Sequence, residues 1–416
     1  MDYKATRDFA LSLDANDSLG KYRKHFHVPL QANGEEHVYF CGNSLGLQPK
    51  KTKDFVDQEI NDWANLGVEG HLNAKNPWLP YHEFLSQSYA NIVGSKTTEV
   101  VAMNTLTVNL HLMMVSFYRP SKIRHKIIIE ADAFPSDIYA VESQIKFHGY
   151  NIENSLIKLR PRPGEYTLRT EDIIDVINQE GDTVSLIMLG GVNYYTGQVF
   201  DFQQITTTAH AKSIFVGFDL AHAVGNIMLE LHNWNVDFAV WCSYKYLNSG
   251  PGSVGGVFVH EKHHNSELPR LNGWWGHNKE DRFEMPDMFN PIKTAEGWQL
   301  SNPPILSLAA IRASLSIFDE VGMGRLITKS KGLNLYLRFL LSSIDTERID
   351  VITPQNSGCQ ISIRVEDGNK DLFEKITNEG VVADWREPDV IRVAPVPLYN
   401  SYLDVYNFYK ILKHFL

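Results

Sequence analysis

Residues 213–248 read SIFVGFDLAHAVGNIMLELHNWNVDFAVWCSYKYLN. Two apolar runs rich in β-branched and aromatic residues, Ile214–Asp219 and Phe238–Trp241, predict strands. Each ends in residues able to do chemistry: Asp219-Leu220-Ala221-His222 after the first, Cys242-Ser243-Tyr244-Lys245 after the second. In parallel α/β sheets ligands sit beyond the carboxyl ends of strands. The chain between Asp219 and Lys245 suffices for one crossover between neighbouring strands, which carries both residues to one crevice.

The same alternation extends outward. Lys126–Glu130, Val184–Leu189 and Val254–Val259 read as further strands, and Thr107–Tyr118, Pro135–His148, Thr170–Gln179 and Phe202–Lys212 as helices between them. Thr170, followed by Glu171 and Asp172, suits an N-cap with an acidic first turn. The fold class is therefore α/β, with a mainly parallel, doubly wound sheet. After Pro303-Pro304 a helical pattern spans about Ile305–Leu341. Short strands (Gln360–Arg364, Ile391–Ala394) and helices (Lys370–Gly380, Leu403–Phe415) follow and predict a smaller α/β domain. The expected division is an N-terminal arm, 1–41, packing with the small domain or a neighbouring subunit; a large domain, 42–300; and a small C-terminal domain, 301–416.

Composition narrows the function. With 416 residues, 43% of them hydrophobic, the chain can bury a large core. The net charge of −10 comes without acidic blocks or Lys/Arg clusters, which leaves no footprint for nucleic acid or an anionic membrane and favours a small-molecule partner. Cys41, Cys242 and Cys359 match neither a disulfide framework nor a zinc pair, as expected of a reducing, cytoplasmic compartment. The N-terminus, charged throughout, predicts a protein that is not exported, and no apolar run approaches the ~18 residues of a membrane span.

An acid and an amine at neighbouring strand ends suit pyridoxal 5'-phosphate (PLP): a carboxylate keeps the pyridine nitrogen protonated, and a lysine amine joins the aldehyde. Asp219 and Lys245 meet these needs, and Leu106 and Thr107 at a helix start offer N–H groups and a hydroxyl to a phosphate. Taken singly, such an Asp is ordinarily a helix cap and such a Lys solvated. Lys245, however, sits among Trp241, Tyr244, Tyr246 and Leu247, before a Gly-rich stretch, Gly250–Gly256, in apolar surroundings that suit a nucleophilic amine. Phe134-Pro135-Ser136-Asp137 follows another strand, where the ring can stack on a pyridine and Asp137 can orient contacts; the same tetrapeptide also reads as a helix start with Pro in the first turn. His263-His264 reads as a solvated turn rather than a metal site.

The segments GFDLAHAVGN (217–226) and CSYKYLN (242–248) resemble kynureninase, a fold-type-I PLP enzyme. So do, in order, FCGNSLGLQP (40–49), GVEGH (67–71), LTVNLHL (106–112), FPSD (134–137), GWWGH (273–277), SNPPIL (301–306) and RVAPVPLYNS (392–401), so the resemblance covers nearly the whole chain. It implies that Leu106, Thr107, Phe134, Pro135, Ser136, Asp137, Asp219, His222, Tyr244, Trp274 and Asn302 surround PLP, and that Lys245 carries it as an imine. It further implies that Arg392 grips the substrate α-carboxylate, and that His71, Ser301 and Asn302 face the aryl ring. Gly190 departs from the pattern, standing where relatives carry a hydroxyl.

The resemblance implies a homodimer with sites at the subunit interface, Trp274 and Asn302 coming from the partner chain. The implied reaction is hydrolysis of L-kynurenine to anthranilate and L-alanine, and of 3-hydroxykynurenine to 3-hydroxyanthranilate, in tryptophan breakdown or pyridine-nucleotide synthesis. Lys245 acts there as the base at the α-carbon, and Tyr244 is either a proton relay or a structural phosphate ligand. The rivals are a cysteine desulfurase, for which Cys359 is the available thiol but reads as the start of a buried strand; an aminotransferase, which would consume a keto acid; and a non-catalytic PLP-binding protein.

Overall fold

Nearly continuous runs of Ile, Val, Leu and Phe suit strands buried on both faces, because alternate side chains then need apolar cover above and below. The computed structural model describes residues 2–366 and 368–416 and shows this arrangement. Seven strands, β1 (Val100–Ala102), β2 (Lys126–Glu130), β3 (Leu156–Leu159), β4 (Val184–Gly190), β5 (Phe215–Asp219), β6 (Phe238–Trp241) and β7 (Gly256–Val259), form one sheet in the order β1-β7-β6-β5-β4-β2-β3. β2, β3, β4, β5 and β6 run parallel; β7 runs antiparallel to β6 and to β1.

Each strand divides its side chains between two cores. Ile127 and Ile129 of β2, Leu186 and Met188 of β4, and Phe238 and Val240 of β6 face α1 (Leu106–Phe117) and α2 (Pro135–Phe147) through Leu110, Met113, Phe117, Val141 and Ile145. Ile128, Ile187, Leu189 and Trp241 face the opposite way, toward α3 (Thr170–Glu180), α4 (Phe202–Ala211) and α5 (Ile305–Val321), through Ile173, Ile177, Ile205, Leu308 and Ile311. Fully burying one such aliphatic side chain stabilises the fold by roughly 1.5–3 kcal/mol. A one-residue slip in register would exchange the two cores' side chains.

Beyond the sheet, a four-stranded antiparallel layer contains β8 (Ile349–Val351), β9 (Ile361–Val365), β10 (Asp384–Arg386) and β11 (Val390–Val393), in the order β10-β11-β9-β8. It packs with α6 (Met323–Ser342), α7 (Asp371–Asn378) and α8 (Tyr402–Phe415) around Leu337, Leu340, Ile363, Ile391 and Phe408. Residues near the N-terminus join these elements. Helix Arg7–Ala15 rests on α8, where Asp14 accepts from the N–H groups of Tyr402 and Leu403, and Val38–Tyr39 pairs with Val381–Val382.

Three readings change. The long helical pattern is two helices, α5 and α6, separated at Gly322, whose φ of 77° lies in the left-handed region a glycine adopts freely. Thr170 is the first residue of α3, and Arg169 occupies the N-cap without a side-chain cap. His263 and His264 lie in no solvated turn: both are buried, His263 Nε2 is 2.8 Å from Asp237 Oδ1 and His264 Nε2 is 3.0 Å from the Val259 carbonyl. No helix among the described residues is long and apolar enough to cross a membrane.

Candidate active site

β5 and β6 are adjacent and parallel, with Asp219 opposite Val240, so the turns that follow them face one crevice. The crossover between them is built of turns. A cavity of about 170 Å³ opens there, lined by Leu106, Thr107, Phe134, Ser136, Asp137, Asp219, His222, Tyr244 and Lys245. These come from the start of α1, the start of α2 and the ends of β5 and β6. Pro135 is the first residue of α2 and stands off the cavity, while Phe134, Ser136 and Asp137 line it, so FPSD is a helix start that also supplies part of the wall.

Lys245 Nζ lies 3.0 Å from His222 Nε2 and 5.9 Å from the centroid of the Phe134 ring. Burial, reinforced by Lys245, holds the His222 imidazole well below the usual range, so it is neutral. The Lys245 turn is braced by Gly46, whose N–H donates to the Tyr244 carbonyl at 2.8 Å; a Cβ on Gly46 would stand 2.3 Å from the Lys245 carbonyl oxygen and 2.2 Å from Asn248 Oδ1. Burial pushes the Tyr244 hydroxyl above its ordinary value, which keeps it a proton donor.

Asp219 and Asp137 are both buried here. Burial raises Asp219, against the pull of the Ala221 N–H at 2.7 Å and of Lys245. Burial and then repulsion from Asp219 push Asp137 well above the carboxylate range. Thr107 Oγ1 and Ser136 Oγ are 2.8 Å apart beside the N-terminus of α1, where Thr105 provides no side-chain cap.

PLP can be tested against this set. Asp137 Oδ1 and His222 Nδ1 are buried without a hydrogen-bond partner in the chain, and burial holds both carboxyls toward protonation even against the charge of Lys245, with repulsion from Asp219 adding to it at Asp137. A pyridinium answers that need, a phosphate suits the uncapped helix start with its two hydroxyls, and an aldehyde suits Lys245. The residues fit.

Other expected residues stand elsewhere. His71, Trp274 and Asn302 line a second cavity of about 520 Å³ with Val68, Leu72, Leu79, Trp275 and Phe283, none of which borders the Lys245 cavity. Ser301 is exposed. Arg392 is 1% exposed; its Nη1 donates to the Tyr194 carbonyl at 2.6 Å, its Nη2 meets Asp384 Oδ2 at 2.5 Å, and its Nε is buried without a partner. Cys359 is buried, and that burial pushes its thiol up to about 12, the reverse of an activated nucleophile.

Glu130, Asn193 and Tyr194 also line the cavity, and the sequence reading missed them. Glu130 ends β2, a polar residue closing an apolar strand, and the strand-end rule that singled out Asp219 applies equally to it.

This sheet and its cofactor pocket define the class: the fold-type-I PLP enzymes. The fold is matched by a cysteine desulfurase of Thermococcus onnurineus (TM-score 0.77, 16% identical, 95% of this chain and 97% of that chain) and by a cystine C–S lyase solved with its product cysteine persulfide (TM-score 0.74, 15% identical, 90% and 97%). Residues 326–412 match the model of the kynureninase C-terminal domain. Proteins named kynureninase from Koribacter versatilis, Myxococcus xanthus and Nematostella vectensis are 54%, 54% and 45% identical, over 98%, 99% and 98% of this chain and 97%, 97% and 93% of theirs. The chain belongs to the kynureninase family.

Proposed function

We propose that this chain hydrolyses L-kynurenine to anthranilate and L-alanine, and 3-hydroxykynurenine to 3-hydroxyanthranilate and L-alanine. The observation that carries this reading is the convergence of Lys245, His222, Asp219 and Asp137 in one cavity of a chain from the kynureninase family. When bound, PLP supplies an electron sink for negative charge developing on the substrate carbons. Lys245 carries the cofactor and moves the α-proton. Asp219 holds the proton on the pyridine nitrogen, with Asp137 beside it. Neutral His222 accepts a hydrogen bond from the Lys245 amine and steadies it. Leu106, Thr107 and Ser136 hold the phosphate, Phe134 covers the ring, and Arg392 binds the substrate carboxylate.

Hydrolysis breaks the bond between the β- and γ-carbons. Water adds to the γ-carbonyl, the aryl carboxylate departs, and the β-carbon takes a proton; the protonated Tyr244 hydroxyl on the cavity wall supports its acting as the relay.

The working unit in this reading is a homodimer. His71, Trp274 and Asn302 are gathered on a cavity apart from Lys245, beside exposed Val68 and Leu72, which supports their serving the partner's site together with Ser301. Hydrogen-bonding groups at the aryl subsite favour the hydroxylated substrate. The domain division at residues 41 and 300 and a place in tryptophan breakdown belong to the same reading, as does a cytoplasmic location, in keeping with three unpaired cysteines.

The test is to incubate PLP-loaded protein with each kynurenine and measure alanine and the aromatic acid. Turnover of both is expected, with kcat/KM for 3-hydroxykynurenine above that for kynurenine; release of sulfide from cysteine in their place would overturn the reading. Borohydride reduction and peptide mapping should place the label on Lys245 and nowhere else.

A further inference from the structure

Glu130 is a buried carboxylate that the reaction above does not use, yet it borders the cavity. Its Oε1 accepts the Gly190 N–H at 2.9 Å and its Oε2 accepts Asn193 Nδ2 at 2.6 Å. Gly190 brings it close, since even a Cβ there would lie 3.0 Å from Glu130 Oε1. Asn193 cannot turn its amide over, because its Oδ1 already accepts the N–H groups of Tyr195 and Thr196 and the Thr196 hydroxyl. The turn it ties off presents the Tyr194 carbonyl to Arg392 Nη1 and to Gln360 Nε2, at 2.6 and 3.0 Å. One unbroken path therefore leads from Glu130 through Asn193 and Tyr194 to Arg392.

We propose that Glu130 is a positioning residue for substrate binding: by fixing the Asn193–Thr196 turn, its carboxylate sets the Arg392 fork, so that its ionisation governs affinity for the substrate carboxylate and leaves the chemical step at Lys245 unchanged. This rests on the proposed function, which puts that carboxylate at Arg392. The ionised form is the one the site is built for, since both its oxygens face N–H donors; protonation would turn an O–H toward a donor. Burial pushes Glu130 up to about 7, against the hydrogen bonds of Asn193 and Gly190 and with the repulsion of Asp219 and Asp132. Asp137 on α2 and Tyr194 on the turn also feel its charge. The switch from one form to the other thus falls at a pH where the enzyme can be assayed.

The experiment compares PLP-loaded wild type with Glu130→Gln, which keeps the shape but points an NH2 at one of the two donors. At pH 8 the variant's KM for kynurenine should be about ten times the wild-type value, the loss of one charge-assisted hydrogen bond, with kcat within about twofold. Between pH 8 and 6 the ratio of the two KM values should shrink toward unity as the wild type protonates, a comparison in which the substrate's own ionisation cancels. Asn193→Ala cuts the same path from its other end, and its effect on KM should not add to that of Glu130→Gln. Competitive inhibition by L-alanine, which carries the same carboxylate, should weaken in parallel. A KM ratio independent of pH, a loss confined to kcat, or additive effects would overturn the inference. If the wild type turns over neither kynurenine, the proposed function falls and takes this inference with it; turnover with a flat KM ratio sinks the inference alone.

Discussion

Asp219 and Asp137 illustrate what single residues contribute. Burial raises the proton affinity of both carboxyls, repulsion from Asp219 raises that of Asp137 further, and Asp137 keeps one oxygen without a partner. A cation between them would restore both to the ionised state, which is the electrostatic role a pyridinium fills. Asp219→Asn should therefore still bind PLP through Lys245, as seen by absorbance and borohydride labelling, while kcat falls by about 10²–10⁴-fold for want of the pyridinium proton. The Asp219–Lys245 relationship was legible in the sequence because strand ends in a parallel sheet point the same way. Arg392 was legible only as a resemblance: its position behind Tyr194, shared with Asp384, depends on contacts between β11, β10 and a distant turn.

Elements place these residues through close backbone approach. Gly46 lies in the segment FCGNSLGLQP and presses on the Lys245 turn at distances no Cβ tolerates. Gly46→Ala is expected to displace that turn, weakening PLP retention at least tenfold in a dialysis assay, an effect larger than the few tenths of a kcal/mol that a substitution at an open surface position costs. Gly322 is different: nothing lies within 4 Å of a Cβ there, so Gly322→Ala meets only the strain of a positive φ. It should destabilise the fold by about 1 kcal/mol, measured by urea unfolding, with kcat unchanged. The pattern Ile305–Leu341 concealed this break because its apolar spacing continues through the glycine, and periodicity reports faces rather than ends.

At the scale of the whole molecule, the two separate cavities predict complementation. Lys245→Ala and Asn302→Ala proteins, each inactive alone in the dimer reading, should recover about a quarter of wild-type activity when unfolded and refolded together: half the dimers are mixed, and each of these has one intact site. No recovery would place Asn302 in the same chain's site. A second global property is acid stability. Burial works to raise Asp237, but His210 and His263, with Lys262, overcome it and hold the carboxyl well below its ordinary range. A depressed carboxylate stabilises the native state above its unfolded value near ~4, and that contribution is lost as pH falls through the folded value. Chemical denaturation should show stability declining below pH ~4, and Asp237→Asn, which removes the carboxylate facing buried His263 and half-buried His210, should cost about 3 kcal/mol at pH 7.

The sequence by itself determined the α/β class, the strands that lead to Asp219 and Lys245, and PLP as the cofactor, because alternation of side chains and the polarity of strand ends are local properties of the chain. It misread His263 and His264 as solvated, since the partner of His263, Asp237, lies a strand away and His264 turns back onto the Val259 carbonyl. It passed over Glu130 and Asn193, whose meaning arises only when β2 and the turn after β4 stand side by side. Tertiary structure alone decided these, and alone separated His71, Trp274 and Asn302 from Lys245, because a distance between segments far apart in the chain is set by how the layers pack and leaves no mark on local pattern.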